Sequence, residues 1–141
     1  MVRSVLFVCN MNSVRSPMAA AILAKNAAGA MSVDSAGVYE GGPDPFIERV
    51  LSEIGVDLGD YEPKAIDDVE ASRFDRLIAL TPEAAHELRR LAPHDRVEYW
   101  PIDNPTDVRG GRDALLEAYR AVRDDLAARI RAQFPQMPQK P

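Results

Sequence analysis

The sequence is poor in cysteine, with a single residue, Cys9, in a chain of 141. No disulfide can therefore form within the chain, and a small disulfide-bonded fold is excluded. A lone cysteine in an intracellular protein is usually a small, buried, apolar residue. It becomes a candidate nucleophile where its neighbours supply a positive field, so the residues around Cys9 decide its interpretation.

Long hydrophobic runs are also missing, and no stretch approaches the ~20 apolar residues that a membrane-spanning helix needs. The N-terminal segment 1–9 is too short for a secretory signal peptide, so we expect a cytoplasmic protein with no membrane partner. Positive charge is in deficit, with a net charge of −5 and a pI near 5.0. This balance disfavours general nucleic-acid binding, which usually needs a basic surface.

Histidine is scarce as well. His86 and His94 are isolated from Cys9 and from any ligand-like spacing of carboxylates. We therefore predict neither a metal site nor an organic cofactor.

Short apolar runs alternate with helical patterns along the chain. The predicted strands are 5–8, 31–34, 76–80 and 97–100. The predicted helices are 16–28, 47–54, 82–91 and 115–134. This alternation predicts a three-layer, flavodoxin-like α/β fold, in which helices cover both faces of a four-stranded parallel sheet. We expect one domain over residues 1–134 and a flexible tail at 135–141.

Cys9 follows the first predicted strand, and Arg15 comes six positions later, just before Ser16-Pro17. Serine is a good N-cap and proline suits the first helical position, so this dipeptide predicts a helix start. A loop between a strand and a helix N-terminus can turn its backbone N–H groups inward around an anion. Arg15 can bind two phosphate oxygens, and the same positive field favours the thiolate of Cys9.

The spacing therefore predicts a phosphate-binding loop that also activates its nucleophile. Asn12 can hold the loop through hydrogen bonds from its side chain, or it is a plain turn residue. Ser16 can donate to the Cys9 thiolate in addition to capping the helix. The predicted phosphate-binding residues are Asn10, Met11, Asn12, Ser13, Val14, Arg15 and Ser16.

The segment 8–19, VCNMNSVRSPMA, closely resembles the signature of the low-molecular-weight protein tyrosine phosphatase family. The likeness continues in order through 34–37, 74–80 and 100–105, and so covers most of the chain. It implies a Cys9 nucleophile that forms a thiophosphate, an Arg15 phosphate clamp and supporting roles for Asn12 and Ser16. It also implies a loop-orienting role for the Ser35 hydroxyl.

The chain departs from that family at the general acid, which is an Asp directly before a proline. Aligned on Pro105, this sequence has Asn104, whose amide cannot protonate a leaving oxygen as a carboxylic acid can. Asp103 stands one residue earlier and is our predicted acid, unless it only caps a turn. Asp107 is the other carboxylate in this loop.

Two further departures concern oxidation and substrate binding. Many relatives carry a second cysteine where this chain has Val14, so oxidised Cys9 cannot be trapped as an internal disulfide. The aromatic pair after the acid-loop proline is also missing, and Tyr39 is a candidate wall for a substrate ring, or a plain surface aromatic.

Three functions remain open at this point. The first is a phosphomonoesterase for protein phosphotyrosine or small aryl phosphates, inhibited by inorganic phosphate or other oxyanions. The second is an arsenate reductase, which would have to borrow an external thiol. The third is an oxyanion or phosphoprotein binder that does not hydrolyse its ligand, suggested by Asn104.

Overall fold

The computed structural model describes residues 2–59 and 61–135, where four strands alternate with four α-helices. The strands are β1 (Ser4–Cys9), β2 (Ser32–Gly37), β3 (Arg76–Ala79) and β4 (Val97–Tyr99). The helices are α1 (Arg15–Ala27), α2 (Ile47–Ser52), α3 (Pro82–Leu91) and α4 (Arg112–Gln133). Short 3₁₀ turns occur at Ile66–Asp68, Ala71–Arg73, His94–Arg96 and Pro105–Asp107.

All strand pairs in the sheet are parallel, and the strand order is β2-β1-β3-β4. The predicted three-layer, flavodoxin-like fold is confirmed. The chain leaves β1 for β2 on one side and later crosses back to β3 on the other, so the order reverses beside β1. Ligands in such sheets bind beyond the carboxyl ends of the strands at this reversal, which is where Cys9 ends β1.

Side chains of β1 alternate between two cores. Val5, Phe7 and Cys9 join a core that is formed with α1, α2 and α4. Leu6 and Val8 join the other core, which α3 and the 3₁₀ turns at Ile66–Asp68 and Ala71–Arg73 cover. A strand buried on both faces is read as a continuous apolar run, which explains why the sequence predicted it well.

The predicted ends of β2 and α2 were wrong. The second strand extends from Ser32 to Gly37, whereas we predicted that it ends at residue 34. Its small residues continue the parallel register, with Cys9 opposite Gly37. Tertiary pairing thus overrides the weak strand propensity of glycine and serine. The second helix stops at Ser52, and Ile54 lies outside it, 39% exposed.

The end of α2 and the middle of α4 are joined by a charged network. Glu53 accepts hydrogen bonds from Arg120 and Arg123, the latter at 2.7 Å, and the Arg123 side chain is 10% exposed. Arg123 also donates to the Val50 carbonyl. These contacts, that from Arg120 foremost, lower the pKa of Glu53 from 4.5 to about 2.

The long last helix buries its predicted apolar stripe, of which Leu115 alone is only partly buried. Of the predicted tail, only Pro135 lies within the described residues. Across the described ranges, we find no helix long and apolar enough to cross a membrane.

Candidate active site

Residues 9–15 form a loop between the end of β1 and the start of α1. Its outer edge is held by the chain that continues from β2, because the carbonyls of Cys9, Asn10 and Met11 accept N–H groups of residues 38, 39 and 41. In the described ranges, the N–H groups of residues 11–15 donate to no protein acceptor. With its carbonyls turned to that edge and its N–H groups free, the loop has the pattern of an anion-binding nest.

Cys9 lies at the base of this loop with its side chain almost fully buried. Its Sγ is 3.0 Å from Oγ of Ser16, which is itself completely buried. The Ser16 hydroxyl also receives a hydrogen bond from Nδ2 of Asn12 at 2.8 Å. A hydroxyl donor at this distance stabilises a thiolate, both before attack and when the thiolate departs.

The expected cap of α1 is wrong in one respect. The helix begins at Arg15, Val14 occupies the N-cap position, and no side chain caps it. Ser16 lies inside the first turn instead, where its hydroxyl reaches Cys9 and Asn12. The uncapped N–H groups of the first turn are consistent with an anion as their partner.

Asn12 has a left-handed backbone with φ of 53° and is completely buried. Its Oδ1 accepts from the N–H of Lys64 at 3.0 Å, and its carbonyl accepts from the hydroxyl of Tyr61. Asparagine tolerates this conformation better than most residues, but the conformation needs support. Asn12 is thus tied to the segment after α2 on one side and to Ser16 on the other.

Tyr61 was not foreseen from the sequence. It is half-buried beside the loop, and burial, followed by the negative charges of Cys9 and Asp44, raises its pKa above the usual range. The hydroxyl therefore stays protonated at neutral pH and remains a donor to Asn12.

Close backbone approach explains Gly37 at the end of β2. A Cβ at this position would lie 2.5 Å from the carbonyl oxygen of Tyr39 and 2.6 Å from the backbone nitrogen of Asn12. Both contacts are shorter than any ordinary side chain tolerates, so the absence of a side chain lets β2 press against the loop. Neighbouring Ser35 lies in β2 opposite Phe7. Within the described chain, the Ser16 hydroxyl lies 3.3 Å from the Ala36 carbonyl, which accepts its hydrogen when it is not donated to Cys9, and Ser35 makes no such contact.

The opposite side of the loop is anchored to α3. Oδ1 of Asn10 accepts from the Thr81 hydroxyl at 2.6 Å, and Thr81 also caps α3 by accepting from the N–H of Ala84.

Ser13 donates to the carbonyl of Gly42 at 2.6 Å, which holds the segment after β2 over the loop. Met11 and Tyr39 are exposed near this edge, 46% and 65% respectively.

The loop after β4 reaches the phosphate-binding loop through Arg15. Nη1 of Arg15 donates to the carbonyl of Ile102 at 3.0 Å. Asp103 is the residue that follows Ile102 in the chain. Asp103 is exposed. Asn104, not Asp103, caps the following turn, since its Oδ1 accepts from both the N–H and the hydroxyl of Thr106.

This division of roles bears on the predicted acid. The amide of Asn104 is occupied by the turn, and its Nδ2 lies 3.5 Å from Oδ1 of Asp107. Within the described residues, the Asp103 side chain makes neither a hydrogen bond nor an ion pair. Among the described residues, the Asp103 carboxylate thus has no side-chain or backbone partner, whereas that of Asp107 contacts Asn104 across the turn.

A model of the low molecular weight phosphotyrosine protein phosphatases matches residues 4–140. The chain belongs to this family. A relative from Streptomyces coelicolor, a low molecular weight protein-tyrosine-phosphatase, is 34% identical, with 92% of this chain and 94% of that protein covered. An arsenate reductase of Bacillus licheniformis is 29% identical, with 92% and 93% covered.

A solved structure extends the comparison to the fold. The tyrosine phosphatase Wzb from Escherichia coli K30, in complex with sulphate, superposes with a TM-score of 0.80 at 20% identity. The alignment covers 96% of this chain and 99% of that one. The family fold is therefore shared over nearly the whole chain, while family members carry both phosphatase and arsenate reductase names.

Most predicted residues of this family member meet in one place. Hydrogen bonds join Cys9, Asn12 and Ser16 within the loop. Arg15 ends the same loop and donates instead to the Ile102 carbonyl. His86 and His94 are both exposed, and no cluster of metal-ligating side chains occurs among the described residues. The contributions of Tyr61, Lys64 and Thr81 come from distant segments, and no local pattern in the sequence marked them.

Proposed function

We propose that this chain is a cysteine-dependent phosphomonoesterase that acts on protein phosphotyrosine or similar aryl phosphates. The proposal is supported mainly by one observation: the Cys9 Sγ lies at the base of a loop of free N–H groups, 3.0 Å from the Ser16 hydroxyl. Inorganic phosphate and other oxyanions bind the same loop and inhibit. The sulphate held by the E. coli K30 relative agrees with such a site.

In the first step, the loop N–H groups and Arg15 bind the three terminal phosphate oxygens. The Cys9 thiolate attacks phosphorus and forms an S–P bond, while the bond from phosphorus to the phenolic oxygen breaks. The electron pair goes to that oxygen, which takes a proton from the carboxylic acid of Asp103. When Arg15 binds the phosphate, it gives up its hydrogen bond to the Ile102 carbonyl. The loop that contains Asp103 can then change its position.

In the second step, water attacks phosphorus and the S–P bond breaks. The Asp103 carboxylate accepts the proton from water, and inorganic phosphate is released. The electron pair returns to sulfur, where the hydroxyl of Ser16 stabilises the thiolate. The enzyme is regenerated without a metal or cofactor taking part in any step.

The proposal is tested by turnover of an aryl phosphate by wild type and by Cys9→Ser, Asp103→Ala and Asn104→Asp. Cys9→Ser should be inactive, because serine is a far weaker nucleophile and a poorer leaving group here. Asp103→Ala should lose more than about tenfold in kcat, since general-acid help is typically worth 10²–10⁴-fold. Asp107→Ala is the matched control in the same loop and should lose little.

The results also separate the alternatives. Wild type that is inactive while Asn104→Asp is active would identify a phosphate-binding protein that has lost hydrolysis. Activity retained by Cys9→Ser would contradict the proposal outright. An unchanged kcat in Asp103→Ala would remove Asp103 from the mechanism but leave the nucleophile in place.

Arsenate reduction is a second candidate, favoured by relatives that carry that name. Cys9 would attack arsenate, forming an S–As bond as an As–O bond breaks and water leaves. An external thiol would then attack the Cys9 sulfur and release arsenite, and a second external thiol would reduce the mixed disulfide. Both electrons must come from outside, because the chain has no other cysteine. Thiol-dependent arsenite release without aryl phosphate turnover would favour this reaction over hydrolysis.

A further inference from the structure

A groove of about 360 Å³ lies beside the phosphate-binding loop, between the segment that follows β2 and the first turns of α3. Its position in the fold is set by the sheet, because β2 and β3 flank β1 and lead into these two walls. The groove is lined by Val38, Tyr39, Pro82, Glu83, His86 and Glu87.

Both walls of the groove are attached to the same residue of the loop. The carbonyl of Asn10 accepts from the N–H of Tyr39 at 2.8 Å. The side chain of Asn10 accepts from Thr81, the cap of α3, and its Nδ2 lies 3.4 Å from Oε1 of Glu83. A phosphate bound in the loop is therefore adjacent to the groove, which can receive the neighbouring part of the same substrate.

The lining is apolar at Val38 and Pro82, aromatic at Tyr39, polar at His86 and acidic at Glu83 and Glu87. Val38 is half-buried, and the Tyr39 ring is 65% exposed. Glu87 is neutralised by Arg90 at 2.7 Å. Glu83 forms no ion pair within the described chain, and its hydrogen-bond partner is the neutral amide of Asn10.

We propose that this groove binds a lysine or arginine side chain that lies next to the phosphorylated residue of a protein substrate. The aliphatic stem packs on Val38 and Pro82, as long cationic side chains pack on apolar surface while their charge stays in water. The charged head pairs with Glu83 and lies against the exposed ring of Tyr39, a favourable cation–π arrangement. This inference rests on the proposed function and names the substrate class more narrowly.

Charge complementarity selects this occupant over others. A substrate with an acidic neighbour would place a carboxylate beside Glu83, in a chain whose net charge is already −5. An aliphatic neighbour would fill the apolar walls but leave Glu83 without a cationic partner. A long cation satisfies both parts of the lining at once.

The experiment compares phosphotyrosine peptides that carry lysine on either side of the phosphotyrosine with matched glutamine peptides. Binding to the Cys9→Ser protein is measured by fluorescence anisotropy, and kcat/KM is measured with wild type. Wild type should prefer one lysine peptide by about five-fold, the size expected of an exposed ion pair with a cation–π contact. Added salt should reduce the preference.

The variant Glu83→Gln keeps an acceptor for Asn10 but removes the charge, so the lysine-to-glutamine ratio should fall to about one. Glu70→Gln is the matched control, because Glu70 is exposed and pairs with Arg73 away from the groove. It should retain the wild-type ratio. Reading the result as a ratio cancels any general effect of Glu83→Gln on the loop.

Equal affinity for the lysine and glutamine peptides, or a preference that survives in Glu83→Gln, would overturn the inference. So would a failure of every peptide to bind. Turnover of a small aryl phosphate, which does not reach the groove, tests the proposed function separately. A lysine preference in binding without any aryl phosphate turnover would refute the reaction and support the groove.

Discussion

Replacing Tyr61 with phenylalanine removes one hydroxyl and leaves the ring in place. The Asn12 carbonyl then loses the donor that it has in the folded protein, although Asn12 is completely buried. An unsatisfied buried carbonyl costs about 1–3 kcal/mol. We expect the free energy of unfolding to fall by that amount, because Asn12 must hold a φ of 53° with one support fewer.

The same change should slow catalysis. If about 1–3 kcal/mol is also lost from the transition state, kcat/KM falls between about 5-fold and about 150-fold. The loop aims its N–H groups at phosphate, so its loosening should affect binding of inorganic phosphate as well. Because the pKa of Tyr61 is raised, this residue should add no limb to the pH–rate profile near neutral pH.

The assay combines urea unfolding with kcat/KM for an aryl phosphate. Tyr99→Phe is the matched control, because Tyr99 is 41% exposed and its hydroxyl makes no hydrogen bond within the described residues. If Tyr61→Phe behaves like Tyr99→Phe in both measurements, the hydroxyl does not hold the loop. Lost stability with unchanged kcat/KM would show that the contact is structural alone.

Gly37→Ala should lower the free energy of unfolding by about 1–3 kcal/mol and reduce kcat/KM more than tenfold, because its Cβ would meet loop backbone at 2.6 Å. Gly111→Ala, with open space around its Cβ, is the control, and equal behaviour of the two would contradict this account. Ser16→Ala should reduce kcat by about tenfold or more and leave a larger fraction of enzyme as thiophosphate in a rapid-quench burst; an unchanged kcat would show that the 3.0 Å contact to Cys9 is not used. Glu53→Gln should lower the free energy of unfolding at neutral pH. The difference in this free energy between the variant and wild type should shrink as the pH falls from 4.5 towards 2. A pKa that is lowered in the folded state gives stability that is present above the pKa of the unfolded state and lost as the carboxylate is protonated. A difference that stays constant over that range would remove the charge of Glu53 as its cause.

The fold could be predicted from the sequence because strands and helix starts follow simple local patterns. The run 5–8 is fully buried on both faces, and Thr81-Pro82 begins α3 as capping rules predict. The end of β2 was not accessible, since Ser35 and Gly37 join the strand through pairing with β1 rather than through propensity.

The site was partly accessible for a similar reason. Cys9 and Arg15 lie in one loop, and their spacing predicts a phosphate-binding loop because a strand pattern precedes it and the Ser16-Pro17 helix start follows it. Tyr61 and Lys64 hold Asn12 from more than 45 residues away, and no local pattern records such a contact. The sequence also could not separate Asp103 from Asn104, because capping of the turn by Asn104 depends on backbone geometry at Thr106.

The proposed hydrolysis requires that Cys9 becomes phosphorylated during turnover. The most direct measurement is intact-protein and peptide mass spectrometry after rapid acid quench of wild type mixed with an aryl phosphate. Hydrolysis through a Cys9 thiophosphate predicts one added phosphoryl group on the peptide that contains Cys9, no such adduct in Cys9→Ala, and no turnover by that variant. Turnover by Cys9→Ala, or a phosphoryl group on any other residue of a turning-over enzyme, would contradict it.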